Sequence, residues 1–233
     1  MKLIRNFVAV GVLFASGAWA NSLINGSFEL ASTGNTFSNN SNPYGNGDGE
    51  QLVAGSTSLG NWSIINNPVS WLYNGDFGLT PQAGSYFLDL TGYYDPTPFG
   101  GVTQAVYLAV GNYTLSFYLG YSGAGGTGTA GGPVSVAASA TEGTSTTLYS
   151  NTFTSGSGLS GNNWALETSA PFSVTTAGTV TISLVGKTGN QYIGLDNVDL
   201  EQAGTGVPEP AMILPLALAG ALFVLGRRKR ARP

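Results

Sequence analysis

Short runs of strict apolar–polar alternation dominate the middle of the chain. Tyr113, Leu115, Phe117 and Leu119 alternate with Thr114, Ser116 and Tyr118, and Val180, Ile182 and Leu184 alternate with Thr181 and Ser183. A period of two sends successive side chains to opposite faces of a strand, so each run offers one face to a core and one to solvent. Nothing repeats at helical spacing, no heptads run, and no strands alternate with helical segments as a parallel sheet requires. Leu23–Leu30, Trp62–Ile65, Ser85–Leu90, Gly101–Leu108, Val134–Ala140, Thr147–Thr154, Trp164–Val174 and Gln191–Leu200 have the same character. These ten or so strands, joined by turns rich in Gly, Ser and Asn, predict an all-β chain folded as a single β-sandwich or jelly roll.

The domain organisation follows from what interrupts the strands. Tyr121–Pro133 is a low-complexity Gly-rich connection, and residues 31–50, with five Asn and four Gly, form a second long loop. Neither divides the fold, because each flank of the Gly-rich stretch holds too few strands to close its own core. One domain over residues 21–206 is expected.

Composition removes several chemistries. The 233 residues include no Cys and no His, which excludes disulfides, thiolate or imidazole metal sites, a Cys nucleophile and a Ser-His-Asp relay. Charge is segregated: residues 21–206 carry one lysine, Lys187, against eleven acids, a net charge of −10. Such a surface repels phosphate backbones and excludes nucleic acid as a partner. Cations and neutral polar polymers remain.

The two ends read as addresses. Lys2 and Arg5, the apolar run Phe7 to Ala15 and Ala18-Trp19-Ala20 have the three parts of a secretory signal peptide over residues 1–20, cleaved after Ala20. At the other end Val207-Pro208-Glu209-Pro210 precedes sixteen uncharged residues, 211–226, and a basic tail, 227–233, with five cations. A helix of that length reaches about 24 Å, a little short of a hydrocarbon core of ~30 Å, and the basic cluster holds the far end on the cytoplasmic side. The domain is therefore expected outside and the tail inside.

This ordered tail resembles the PEP-CTERM sorting signal of Gram-negative bacteria. The resemblance implies export through the inner membrane, transient anchoring by a transmembrane helix, cleavage near Val207–Pro210 by an exosortase, and release to the cell surface or extracellular matrix, in association with exopolysaccharide and biofilm. A plain single-pass anchor that is never cut is the bland alternative. The middle has its own resemblance. Leu23-Ile24-Asn25-Gly26-Ser27-Phe28-Glu29, Gly84–Leu90, Gly101–Val106 followed by Tyr113–Phe117, and Tyr192–Leu200 resemble, in order, the landmark strands of the galactose-binding-like jelly roll of carbohydrate-binding modules.

That second resemblance implies a structural Ca²⁺ held by Glu29 and Asp196, with backbone oxygens near Gly26–Ser27 and with Asp48 and Glu50 as further ligands. The alternative is that Glu29 and Asp196 only hydrogen-bond neighbouring backbone. Asp196 and Asp199, three apart on a strand, are expected on opposite faces. No acids stand at a recognisable catalytic spacing, so the chain is read as non-catalytic. Exposed aromatics stack on sugar rings, and Trp62, Trp71, Tyr73, Tyr93, Tyr94 and Trp164 are the candidates. Trp71, Tyr93 and Tyr94, with Asp95 as polar reader, lie in interrupted stretches where exposure is expected, while a Trp in an alternating strand is more often core. The expected function is that of an exported matrix protein binding neutral polysaccharide. A structural surface protein binding protein or itself is the alternative, and a carboxylate-based glycan hydrolase the third.

Overall fold

In the computed structural model, residues 21–39, 48–93, 97–120, 133–155, 164–189 and 192–203 are described. They form β1 (Glu50–Leu52), β2 (Ser63–Ile65), β3 (Val69–Tyr73), β4 (Tyr86–Asp89), β5 (Gly101–Leu108), β6 (Gly111–Gly120), β7 (Val134–Glu142), β8 (Thr146–Ser155), β9 (Trp164–Thr168), β10 (Phe172–Val174), β11 (Gly178–Thr188) and β12 (Gly194–Ala203). A 3-10 turn at Asp76–Gly78 lies between β3 and β4. The chain divides into two compact units, Met1–Gln202 and Ala203–Pro233, and the sheets belong to the first. The expected signal peptide 1–20, the Val207–Pro210 motif, the 211–226 helix, the basic tail, Tyr94 and Asp95 lie outside the described residues. Among the described residues no helix is long and apolar enough to cross a membrane.

The strands make two sheets. Seven strands run in the order β1-β3-β4-β12-β6-β10, with β9 also on β6, and five run β2-β5-β11-β7-β8. The pairing is antiparallel, and it is longest where alternation is cleanest: β11 pairs β5 from Gly178↔Leu108 to Val185↔Gly101 and pairs β7 on its other side. The alternating faces meet between the sheets. Tyr113, Leu115, Phe117 and Leu119 of β6 and Val180, Ile182 and Leu184 of β11 lie in one buried cluster with Val102, Val136, Val198 and Leu200. The intervening β6 residues Thr114, Ser116 and Tyr118 are half-buried on the other side of the sheet. A smaller cluster of Leu72, Leu79 and Phe87 covers part of that outer face. It arises because Trp71 opposite Leu88 faces the main core, so Leu72 opposite Phe87 must face away.

Three expectations need correction. The stretch Leu23–Leu30 is not a strand, because Asn25 (φ 56°) and Phe28 (φ 58°) are both left-handed, which an extended ladder cannot accommodate. Trp164–Val174 is two strands rather than one, since Pro171 offers no N–H to the ladder. Trp71 lies on a strand, β3, rather than in an interrupted loop. Alternation missed it because Val-Ser-Trp-Leu-Tyr is apolar on both faces, each covered by its own cluster.

Candidate functional site

The segment Asn25–Glu29 closes one edge of the sandwich, and each side chain has a mechanical part in it. Asn25 tolerates its left-handed backbone and uses its amide to bond Leu30 N–H (2.9 Å), Leu30 C=O (2.9 Å) and Gly60 C=O (3.0 Å). Gly26 donates no side chain because a Cβ would collide with the carbonyl of Val198, whose own N–H bonds Gly26 C=O at 2.9 Å. Phe28 is fully buried, packs on Trp62 at 5.5 Å between centroids, and accepts the indole N–H of Trp71 at 2.9 Å. Gln104, reaching over from the other sheet, makes both backbone bonds to Ile24. The backbone of this non-strand segment is thus satisfied by side chains and by β12, as burial demands.

Glu29 and Asp196 converge on the turn that leads into β4. Glu29 Oε1 accepts the N–H groups of Ser85 and Tyr86, both at 2.9 Å. Asp196, fully buried, accepts Gln82 N–H (2.8 Å) and Ala83 N–H (3.3 Å) on Oδ2 and Asn197 N–H (2.7 Å) on Oδ1. Burial pushes the Asp196 carboxyl up to about 7; the three N–H donors pull the other way, and the Glu29 charge adds to the rise. Asp48 and Glu50 do not join them. Glu50 accepts Ser38 N–H at 2.8 Å, and Asp48 lies in the field of Asp76 and Tyr93. Among the described residues no three acids gather as a metal-binding group. Two carboxylates fall short of the six to eight oxygens Ca²⁺ takes, so carbonyls would have to supply most of a site there.

Next to this turn an open groove of about 720 Å³ runs between the 21–30 segment and the outer face of β6, β9 and β12. Its lining includes Asn21, Asn25, Ser116, Tyr118, Leu166, Asn197 and Asp199. Strand parity explains the set: Ser116 and Tyr118 alternate with core residues on β6, and Leu166 is opposite Tyr118 on β9. On β12 the parity shifts. Ile193 and Leu195 are core, but so are Val198 and Leu200, so one residue is inserted where Asn197 turns left-handed (φ 44°). The expectation that Asp196 and Asp199 face opposite ways therefore fails, and both fall on the side away from the main core. Asp199 Oδ1 is buried with no hydrogen-bond partner. Desolvation and the neighbouring Glu201 raise that carboxyl above the usual range.

The aromatics singled out from the sequence are mostly elsewhere. Trp71 is 1% exposed and belongs to the core, contrary to the exposure expected of it; its ring meets Phe37 edge-on at 5.1 Å. Trp62 is core too, and Trp164 packs edge-on against Phe87 at 5.7 Å. Tyr93 is half-buried over Phe77 at 5.7 Å. Its phenol is raised by burial and by the charges of Asp76 and Asp48. Tyr73, 41% exposed, meets Tyr86 edge-on at 5.2 Å. Tyr118, Leu166, Asn197 and Asp199 were missed, although the alternation of β6 already put Tyr118 on the non-core face.

No protein-family model matches the chain, and no curated protein matches it. Solved structures do. One is the carbohydrate-binding module TmCBM61 in complex with β-1,4-galactotriose, 16% identical over 79% of this chain and 99% of that one, TM-score 0.44. Another is the C-terminal family 22 carbohydrate-binding module of Clostridium thermocellum Xyn10B, 14% identical over 66% and 93%, TM-score 0.40. A third is the arabinose-bound α-L-arabinofuranosidase MgGH51, 14% identical over 79% of this chain but 27% of that one, TM-score 0.48. The two-sheet architecture of this chain rests on its own strand pairings.

Proposed function

We propose that the chain is an exported, non-catalytic jelly-roll protein that binds neutral glycan in the groove over β6, β9 and β12. The observation that carries this reading is the chemistry of the lining. The Ser116 hydroxyl and the Asn197 amide flank a tyrosine ring, Tyr118, and an aliphatic side chain, Leu166, that is 56% exposed, between the backbone-bound Asn21 and Asn25. No basic residue lines it. Sugars present hydroxyls on their edges and C–H groups on their faces, and a shallow mixed surface meets both. The Asp199 carboxylate adds an acceptor to the same lining. Affinity electrophoresis against neutral and anionic polysaccharides tests the reading. Retardation in neutral glycan that salt barely changes is expected, because no Coulomb attraction contributes. Migration unchanged in every glycan overturns it, and release of reducing sugar favours the hydrolase.

Two further parts of the proposal concern what surrounds the domain. Residues 207–233 act as a sorting signal that an exosortase removes, which delivers the domain to the cell surface or matrix. Ca²⁺ stabilises the turn held by Glu29 and Asp196; what supports this is an Asp196 carboxyl kept in a dry site beside a second acid, where a cation would hold the charge that burial opposes.

A further inference from the structure

We propose that the outer edge of β8 pairs, antiparallel and across a two-fold axis, with the same edge of a second copy, joining two five-stranded sheets into one. β8 closes its sheet: its inner side pairs β7 from Val134↔Ser155 to Glu142↔Thr146. On its outer side no backbone bond is made among the described residues. The opposite end of the same sheet is treated differently. β2 has only three residues, and the turn beside it takes its edge, with Gly55 N–H on Ile64 C=O (2.8 Å) and Ile64 N–H on Ser56 C=O (3.0 Å).

Alternate residues of this ten-residue edge point their N–H and C=O groups outward and invite another strand; of the devices that block such edges, Lys, Pro, an inward charge or a bulge, β8 has only a bulge at Leu148, near its start. The β8 sequence Thr-Thr-Leu-Tyr-Ser-Asn-Thr-Phe-Thr-Ser contains no charge, no proline and no glycine. β-Branched and aromatic residues make up most of it, so its pairing is intrinsically favourable.

Charge selects a second copy as the occupant. Residues 21–206 have a net charge of −10, so two copies repel wherever their acids face one another. In the other sheet Glu50 lies on edge strand β1 and Glu167 on β9, and the remaining edge strand, β10, has only three residues. Self-pairing of β8 about a two-fold sets uncharged Thr, Ser, Asn and Tyr side chains across from one another and creates no like-charge pair. Because each copy presents one such edge and the β2 end is covered, the pairing closes at a dimer and does not propagate.

The chain has no cysteine, so single-cysteine variants of the full chain report the contact directly. Each position from Thr146 to Ser155 is changed to Cys in turn and oxidised in place in the membrane or at the cell surface. Antiparallel pairing about a two-fold brings only the central residues next to their counterparts. A disulfide-linked dimer is therefore expected at one position near Ser150–Thr152, with yield falling away toward both ends. Tyr107→Cys, exposed on β5, remains monomeric. A pair of variants placed symmetrically about that position, Ser150→Cys mixed with Thr152→Cys for a centre at Asn151, cross-links more than either does alone. Adding a charge at the exposed strand centre, as Asn151→Lys, abolishes the cross-link without shifting the melt. Yields along β8 no higher than that of Tyr107→Cys overturn the proposal, as does a yield that does not peak. An edge covered by another segment of the same chain or by a foreign strand gives that same flat result.

Discussion

Glu29 and Asp196 hold adjoining halves of one turn: Glu29 Oε1 fixes Ser85 and Tyr86, and Asp196 Oδ2 fixes Gln82 and Ala83. Gly84, between the two pairs, is left-handed (φ 68°), and a Cβ on it would run into the Glu29 carboxylate. The turn exists because two acids from distant parts of the chain supply acceptors for four strand-entry donors, two on each side of Gly84. Neither acid can be changed without loosening what the other grips.

The first prediction is that these two residues are energetically coupled. Asp196→Ala leaves three N–H groups without an acceptor, and at about 1–3 kcal/mol for each buried bond unmade the loss is large. Glu29→Gln retains an acceptor and loses less. A double-mutant cycle read from urea midpoints should show a clear coupling energy. Additivity to within about 0.5 kcal/mol would mean that the two halves of the turn are independent.

The second prediction concerns pH. The Asp196 carboxyl titrates near 7 when folded against 3.8 as its ordinary value. Between those values folding takes up a proton, so this group's contribution is complete below the lower value and is lost as pH rises through the upper one. The displacement corresponds to about 4 kcal/mol. Asp76, Glu50, Glu167 and Asp199 are displaced in the same direction by desolvation. In chelator the urea midpoint should therefore be higher at pH 5 than at pH 8. Millimolar Ca²⁺ should flatten the difference by replacing the proton at Asp196 with a cation. A domain more stable at pH 8 than at pH 5 without metal contradicts the first part, and Ca²⁺ that leaves both midpoints unmoved contradicts the second.

How much of this was legible beforehand differs by element. β5 could be read to the residue, and β6 and β11 through their alternating centres, because one face of each is core and the other is not. β3 could not, since both its faces are covered and alternation vanishes. The 21–30 segment failed for a different reason. Its apolar residues suit a strand, but its backbone bonds are made by the side chains of Gln104 and Asn21 and by Val198 and Leu200 of β12, most of them far along the chain. The groove was half legible. Tyr118 follows from β6 parity alone, whereas Asp199 needed the extra residue at Asn197, which only a left-handed angle discloses. Nothing local distinguishes Trp71, a core ring, from a platform; the covering clusters do.

The third prediction concerns processing. Val207–Pro210 followed by the uncharged run 211–226 and the basic tail implies that the released protein ends near Pro210. Mass spectrometry of protein shed from the cell surface should yield peptides starting at Asn21 and none beyond Ala211. Recovery of the arginine-rich tail on shed protein would leave the segment an ordinary anchor.

The fourth prediction separates a structural ring from a ligand-facing one. Trp71 is 1% exposed, donates its indole N–H to Phe28 C=O at 2.9 Å and is surrounded by Phe37 and Tyr86. Trp71→Ala removes a large core side chain and leaves that carbonyl unpaired, a loss of about 3–5 kcal/mol, which should lower the melt by many degrees. Tyr118 lines the groove from a half-exposed position on the outer face of β6. Tyr118→Ala removes a stacking face without opening the core, so the melt should stay nearly constant while retardation in neutral glycan is lost. Asn197→Ala is a poorer probe, because its amide also bonds the side chain of Gln82. Asp199→Asn is a better one: it keeps the shape and removes the charge while leaving an oxygen to accept a hydroxyl. Binding should survive in that variant and fall in Asp199→Ala. If Tyr118→Ala and Asp199→Ala both bind glycan as the parent does, the groove is not where the sugar goes.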